Sequence, residues 1–264
     1  MLVAEQALRR NIAKVSNMRV LVACEESQRV CTAFREKGHE AYSCDIMECS
    51  GGHPEWHIQQ DVLSILNPTE HCTPVGDVFE GIEFKTVDGV AHTIQPKWDL
   101  IIAHPPCTYL TVAANKLYNV KKYGEKAIQR LKNREKAIDF FMRFVKADCE
   151  KIAIENPIGV ISTRYRKPNQ IIQPYQFGHP VRKSTCLWLL GLPKLVPTKI
   201  VDFECVHSKG KSGGYSGASW VVKDENGKIL PYNDRRVSII RSKTYPGIAK
   251  AMAEQWGGKE KTAN

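Results

Sequence analysis

A cysteine stands directly after a short apolar strand that ends in two prolines. Residues 99–109 read Asp-Leu-Ile-Ile-Ala-His-Pro-Pro-Cys-Thr-Tyr, so Cys107 follows Pro105 and Pro106. Proline has no N–H for a sheet ladder, and the pair must end the strand in a rigid, extended turn. Ligands of open α/β sheets bind just outside the carboxyl ends of the strands. A thiol at that position is a candidate nucleophile.

Acidic side chains follow three other predicted strands. Asp45 ends the second strand, Asp61 ends the third, and Glu155 follows the fifth. An acid after the second strand is where such sheets hold ribose hydroxyls, and an acid after the third can accept from an adenine amino group. Singly, each acid is as easily a helix cap, and the cysteine as easily a buried core residue. Four side chains from four successive strand ends together predict one site at one edge of the sheet.

The elements that position these side chains alternate between strands and helices. A helix is predicted from Ser27 to Lys37, and a longer one from Ala127 to Ala147, whose apolar stripe contains Ile128, Leu131, Ala137, Phe140, Phe141 and Phe144. Strands are predicted at Arg19–Cys24, Glu40–Ile46, Trp98–Ala103 and Lys151–Ile154, with a short one over Gln59–Leu66. Glu155-Asn156-Pro157 is expected to terminate the fifth strand. This alternation predicts a mostly parallel sheet covered by helices.

Two segments interrupt the alternation, and the composition limits the class of protein. Residues 68–96 contain a predicted hairpin around Asp88-Gly89, and residues 202–234 are rich in Gly, Ser and Lys. The 264 residues carry a formal net charge of +10, much of it in Lys116–Lys136 and Arg164–Lys183, which favours a polyanionic partner. We expect no membrane span and no secretory leader. Nine scattered cysteines favour reduced thiols and a cytoplasmic protein.

The ordered motifs resemble those of the cytosine-C5 DNA methyltransferases, class I enzymes that use S-adenosylmethionine (AdoMet). His104-Pro-Pro-Cys107 resembles the family's Pro-Cys nucleophile motif, and Glu155-Asn156-Pro157 resembles its Glu-Asn-Val motif. Tyr175–Gly191 resembles the hairpin with the Gln-x-Arg-x-Arg motif, and Tyr245–Ala253 the helix that closes the cofactor pocket. The resemblance runs from Met18 to about Gly257. More narrowly, the chain resembles compact methylase-like proteins that phages and prophages commonly encode.

The resemblance implies a fold and a division of the chain. The fold is a Rossmann-like, mostly parallel sheet with helices on both faces and a small recognition subdomain. Residues 1–17 are an N-terminal extension, residues 18–191 the AdoMet-binding catalytic domain with its hairpin insertion at 68–96, and residues 192–240 a small target-recognition region. Residues 241–258 form a C-terminal helix that returns to the catalytic domain, and residues 259–264 are a tail.

The resemblance also implies an activity, methylation of cytosine C5 in duplex or single-stranded DNA through a covalent bond between Cys107 and C6. The expected catalytic residues are Cys107, Glu155, Arg182 and Lys183. AdoMet contacts are expected from Cys24, Glu25, Ser27, Asp45, Ile46, Asp61, Val62, His104 and Pro105. Nucleic-acid contacts are expected from Lys121, Lys122, Arg164, Arg166, Tyr215 and Trp220. No metal is expected.

Two departures from the family pattern affect how the site is built. The family's glycine-rich first loop is absent, and Ala23-Cys24-Glu25-Glu26-Ser27 stands in its place. Cofactor contacts there are expected from backbone amides and from a helix that starts at Ser27. The Gln-x-Arg-x-Arg motif is degraded, and Arg182 and Lys183 are the nearest cations.

Four alternatives stay open at this stage. An amino-methyltransferase would place Asp, Asn or Ser before Pro-Pro and an aromatic residue after it, where this chain has His104 and Cys107. An RNA cytosine methyltransferase would use a Thr-Cys motif, and Thr185-Cys186 lies on the predicted hairpin. A catalytically idle, methylase-derived DNA-binding or counter-defence protein would keep the fold without the reaction. Zinc would require ligands from the spacing of Cys44, Cys49, His53 and His57, which matches no standard finger.

Overall fold

A seven-stranded sheet forms the centre of the computed structural model, which describes residues 17–72, 77–203, 207–209, 215–217, 225–228, 230–231 and 234–257. Its strands are β1 (Arg19–Ala23), β2 (Glu40–Asp45), β3 (His57–Gln59), β7 (Leu100–Ala103), β8 (Ile152–Pro157), β9 (Gln170–Ile172) and β10 (Thr185–Leu190). They lie in the order β3-β2-β1-β7-β8-β10-β9. The first five are parallel, whereas β10 runs antiparallel to β8 and β9 antiparallel to β10.

Helices cover both faces of this sheet. Successive strand residues point to opposite faces, and a strand buried on both sides is therefore a continuous apolar run, as β1 is after Arg19. Val20 and Val22 pack with helix α1 (Arg29–Glu36) and helix α6 (Pro246–Trp256). Leu21 and Ala23 belong to the core on the other face, where helix α3 (Glu125–Val145) contributes three buried residues, Ile138, Phe141 and Phe144. The fold is α/β, and it is compatible with a Rossmann-like arrangement.

The interruption at 68–96 is a small antiparallel sheet rather than a single hairpin. Strands β4 (Thr69–Cys72), β5 (Val78–Lys85) and β6 (Ala91–Ile94) pair in that order. The predicted hairpin is confirmed by the β5–β6 pairing, and Gly89 supplies the positive φ of 87° in its turn. Phe84 stacks on Trp98, which anchors the insertion to the core.

Several predicted boundaries are wrong. Helix α1 begins at Arg29 instead of Ser27, because Gln28 has a left-handed backbone (φ 56°) that no helix interior accepts. The third strand is His57–Gln59, and the residues after it form a short 3-10 turn at Val62–Ser64. The fifth strand, β8, continues through Pro157, because antiparallel pairing with β10 extends it past the end of β7.

Two helix predictions also need correction. Ile128 and Leu131 are exposed. The contacts of α3 with the preceding 3-10 segment (Val112–Tyr118) and with helix α2 (Val120–Tyr123) leave these two side chains uncovered. The C-terminal helix predicted for 241–258 is two helices, α5 (Arg235–Ser242) and α6. Pro246 disfavours a helical backbone at the residue before it and is well placed at the first turn of a new helix.

The remaining described segments are short. Helix α4 spans Ile161–Arg164, and strands β11 (His207–Lys209) and β12 (Tyr215–Gly217) pair antiparallel within the predicted recognition region. No helix in the described part of the chain combines the length and apolarity needed to cross a bilayer.

Candidate active site

Strand register places four of the predicted residues side by side at the carboxyl edge of the sheet. Ala23 pairs with Cys44 on one side and with Ala103 on the other, and Ala103 pairs with Ile154. The next residue along each strand is therefore Cys24, Asp45, His104 or Glu155. Because these strands are parallel, one row of side chains from four strands meets at this edge. It includes Asp45 and Glu155 of the four residues predicted to converge, while Cys107 lies three residues beyond His104 and Asp61 lies two residues beyond the end of β3.

The turn that carries Cys107 is fixed at its beginning and within itself. The His104 amide donates to Ala23 O (2.9 Å), and the Asn156 side-chain amide donates to Pro105 O (2.8 Å). Asn156 is buried, so this bond is shielded from water. The carbonyl of Cys107 accepts from the amides of Leu110 (2.9 Å) and Thr111 (3.1 Å), while its side chain is exposed. The thiol is thus presented on a rigid support.

A close backbone approach fixes the end of the same turn. The Val160 amide donates to Leu110 O (2.8 Å), and Thr111 forms an isolated bridge with Gly159. A Cβ at position 159 would lie 2.1 Å from Leu110 O. Only glycine fits there, because the clash would be with backbone atoms.

His104 and Glu155 form a largely buried pair next to the turn that carries Cys107. His104 Nδ1 lies 3.0 Å from Glu155 Oε2, and the two side chains are only 13% and 17% exposed. Burial alone would lower the pKa of His104, but the hydrogen bond and charge of Glu155, with the charge of Glu25, outweigh it and raise the pKa. Burial alone would raise the pKa of Glu155, yet the His104 hydrogen bond and charge hold it below its ordinary range. Both shifts favour the charged forms, so each partner stabilises the other as an imidazolium and a carboxylate.

Lys183 supplies a second positive charge to the site. Its Nζ donates to Arg241 O (2.8 Å), which ties the turn before β10 to the end of α5. Although Cys107 is exposed at the surface, the protein atoms around its thiol partly desolvate it and raise its pKa. The charges of Lys183 and Arg241 oppose that rise without cancelling it. The resting residue is a thiol rather than a thiolate. Arg182, one residue earlier, is exposed.

The first loop is organised by Glu25 and not by glycines. The buried Glu25 carboxylate accepts from the amides of Val30 (2.7 Å) and Cys31 (3.1 Å), the first turn of α1. Burial raises the pKa of Glu25. The carboxylate therefore caps the helix, which is a role that the sequence did not predict for it. Ser27, the expected helix start, is a buried loop residue.

The loops after β1 and β2 are bonded to each other through Gln28. Its side chain donates to His53 O (2.7 Å) and accepts from the His53 amide (3.0 Å). Gly51 approaches so closely that a Cβ there would lie 2.5 Å from Gln28 Cβ. The two loops that would border a cofactor thus form one unit.

The acids predicted to contact AdoMet each make one short-range backbone contact. Asp45 accepts from the Met47 amide (3.0 Å), and Asp61 accepts from the Leu63 amide (3.0 Å). A carboxylate has about four lone-pair positions, so these bonds leave capacity for a ligand. Ile46, beside Asp45, is 75% exposed, whereas Val62 belongs to the core.

The remaining predicted cofactor residues lie at the same edge. Cys24 has a positive φ of 59°, and burial raises the pKa of its thiol, so it acts as a small apolar group. Pro105 is buried within the nucleophile turn.

The residues predicted to contact nucleic acid are not equally available. Lys121 and Lys122 are exposed on α2. Arg164 makes a bidentate ion pair with Glu135 (2.8 and 2.5 Å), and Arg166 donates to Asn169 Oδ1 (2.6 Å) and to a β10 carbonyl. Tyr215 lies in β12, and Trp220 lies outside the described residues. Two of the four predicted cations are therefore engaged within the protein.

The four residues weighed as zinc ligands have other surroundings. Cys44 is buried in β2, His57 contacts Ser43 Oγ (2.9 Å) and Met47 O (2.9 Å) through its two ring nitrogens, and His53 stacks on Trp56. Within the described ranges, no three His, Cys, Asp or Glu side chains converge as metal ligands would.

Comparison of the chain with protein-family models gives no match, and comparison with curated proteins gives none either. The sequence analysis overlooked Asn156 and Gly159, which hold the turn that carries Cys107. It also overlooked Arg241, whose carbonyl accepts a hydrogen bond from Lys183. The Glu-Asn-Pro motif contained a signal for Asn156, because a polar side chain in a buried strand needs a hydrogen-bond partner. Nothing in the sequence signals that Arg241 lies near Lys183.

Proposed function

We propose that the protein is an AdoMet-dependent methyltransferase that modifies C5 of cytosine in DNA. The observation that carries the proposal is the arrangement at one sheet edge of an exposed Cys107 thiol, a buried His104–Glu155 pair and the Lys183 ammonium. Nucleophile, base-recognising acid and positive charge are the three parts that addition to a cytosine ring requires.

The residues at the ends of β2 and β3 fit an adenosine-containing cofactor. Asp45 has acceptor capacity for ribose hydroxyls, exposed Ile46 offers an apolar surface for a flat base, and Asp61 has capacity for an amino group. Bound AdoMet would supply the electrophilic methyl group. The N-terminus of α1 is not open to an anionic group of the cofactor, because Glu25 already accepts from its first amides.

The reaction begins at Cys107. Its thiol passes the proton to solvent water as Sγ bonds to C6 of cytosine, and negative charge spreads into the ring. Glu155 accepts a hydrogen bond from the exocyclic amino group. His104, whose Nδ1 lies 3.0 Å from Glu155 Oε2, and the Lys183 ammonium offset the ring charge. With AdoMet bound, C5 would be the atom that is methylated. The C5 proton then leaves to water, breaking of the C6–Sγ bond restores the ring, and the released thiolate takes a proton back from water.

DNA is the substrate class that the charge favours. A net charge of +10 attracts a polyanion, and exposed Lys121 and Lys122 follow the nucleophile turn in the chain. A duplex would have to release its cytosine from the stack to reach Cys107.

The test is nucleoside analysis by mass spectrometry of DNA from cells that express the protein. We expect 5-methylcytosine with the wild type and with Cys72→Ala, which removes another exposed thiol, and none with Cys107→Ala. DNA binding without any modified nucleoside would favour the catalytically idle alternative, and a methylated exocyclic amino group would favour an amino-methyltransferase.

A second test traps the covalent step. DNA that contains 5-fluorocytosine should form an adduct with the wild type, because fluorine cannot leave C5 as a proton. The adduct should be absent with Cys107→Ala. An adduct that persists in that variant would refute the assignment of the nucleophile.

A further inference from the structure

Two arginines and two tyrosines form a cluster next to the nucleophile turn. Arg130 and Arg134 lie one helical turn apart on α3 and face Tyr109 and Tyr118. The Arg134 guanidinium carbon lies 3.4 Å from the centre of the Tyr118 ring, and that of Arg130 lies 5.2 and 5.3 Å from the Tyr109 and Tyr118 rings. Tyr109 is two residues from Cys107, a chain length of about 7 Å at most.

The two arginines differ in what they bind. Arg134 donates to Tyr109 O (3.0 Å) and to Asn115 Oδ1 (2.9 Å), so its hydrogen bonds hold the turn. Among the described residues, Arg130 makes no ion pair, and its Nε is buried without an acceptor. In the part of the chain that the structure describes, no carboxylate pairs with the Arg130 charge, and the partly exposed guanidinium is therefore accessible to an anion from outside.

We propose that Arg130 is a phosphate anchor that binds a phosphodiester of the nucleic acid beside the target base, a role that rests on the proposed function. Cation–π contacts with two rings restrict the position of the guanidinium in advance, and its in-plane N–H groups match the oxygens of a phosphate. Arg164, by contrast, is neutralised by Glu135, and Arg166 is used to hold β10. Arg130 is the partly exposed arginine of this region whose charge is not already paired in those ways.

The experiment measures the affinity of the full chain for a labelled mixed-sequence duplex, and for one of its strands, between 50 and 200 mM salt. Arg130→Gln should weaken binding and reduce the slope of log affinity against log salt by about 0.9 for the duplex and about 0.7 for the single strand. Arg143→Gln, which removes an exposed charge from the far end of the same helix, should keep the wild-type slope.

Each outcome has a separate meaning. Wild-type protein that binds neither DNA would overturn the proposed function, whereas a wild type that binds and an Arg130→Gln variant with an unchanged slope would overturn the anchor alone. Arg130→Lys tests the geometry independently of folding problems in the glutamine variant. It should keep most of the salt slope but bind at least about threefold more weakly, since an ammonium lacks the stacked, planar donors. Wild-type affinity in that variant would also overturn the anchor.

Discussion

The charge on His104 makes a testable contribution to stability. His104→Gln keeps an N–H donor for Glu155 and removes only the charge. The pair is largely buried (13% and 17% exposed), so solvent screens it little. A hydrogen bond to a charged group contributes about 1.5–3 kcal/mol. The glutamine amide would keep a bond to the ionised Glu155, so we expect only part of that contribution, about 1 kcal/mol, to be lost. His104→Ala, which leaves Glu155 without this partner, should cost about 3–5 kcal/mol.

The sign of the pH dependence follows from the two pKa shifts. The pKa of His104 is raised in the folded state, so its contribution is complete below the ordinary histidine pKa of about 6.5 and is lost as pH rises through the folded value. The pKa of Glu155 is lowered, so its contribution is complete above about 4.3 and is lost as pH falls through the folded value. The stability difference between wild type and His104→Gln should be largest between these two pH values.

Urea unfolding followed by circular dichroism at pH 5.5, 7 and 9 measures this difference. It should shrink towards pH 9, and a His104→Gln/Glu155→Gln double-mutant cycle should show the same decline in coupling energy. His53→Gln, which alters an exposed His–Glu pair, is the control and should change stability by a few tenths of a kcal/mol. A difference that stays constant across the pH range would refute the charged pair.

Three further substitutions test how the site is held together. Glu25→Ala removes the cap of α1 and should cost about 1–2 kcal/mol, with faster hydrogen exchange in the first turn of that helix; unchanged exchange would contradict the capping role. Asn156→Ala frees the Pro105 carbonyl, and we expect stability to fall by about 1–3 kcal/mol in chemical denaturation and methylation to fall more than DNA affinity. Equal losses of rate and affinity would argue against a role in positioning. Gly159→Ala places a Cβ against Leu110 O and should lower the thermal midpoint and change the rate at which Cys107 is alkylated. An unaltered midpoint and alkylation rate would show that the two loops are not tightly packed.

The sequence by itself determined which residues form the parallel strands and at which edge of the sheet the candidate site lies. Buried parallel strands are short apolar runs, and prolines end them. The strand at Leu100–Ala103 and the turn after it could therefore be predicted from the sequence. The alternation with helices made the strands parallel, and parallel strands bring their carboxyl ends together. Asp45, Asp61, Cys107 and Glu155 were therefore predicted at one edge, and the strand register places Asp45 and Glu155 in one row there, with His104 between them.

Local signals failed where a neighbouring element changed the outcome. Glu155-Asn156-Pro157 resembles a strand terminator, but β10 supplies an antiparallel partner from about 30 residues further on and keeps these residues in the strand. Ile128 fits an apolar stripe, yet the start of α3 packs on the segment before it and leaves this side chain exposed. Periodicity states which residues share a face, and it does not state whether another element covers that face.

Only the tertiary structure decided the partners of the charged residues. The sequence places Glu25 in the loop after the first strand. Its capping of α1, however, depends on the left-handed backbone of Gln28, which brings the helix amides to the carboxylate. The pairing of His104 with Glu155 depends on two strands that are about 50 residues apart in the chain, and the contact of Lys183 with Arg241 on a helix 58 residues away. Charge and hydrogen bonding act over a few ångströms in space, whatever the separation in sequence, so protonation states and free cations are properties of the folded chain.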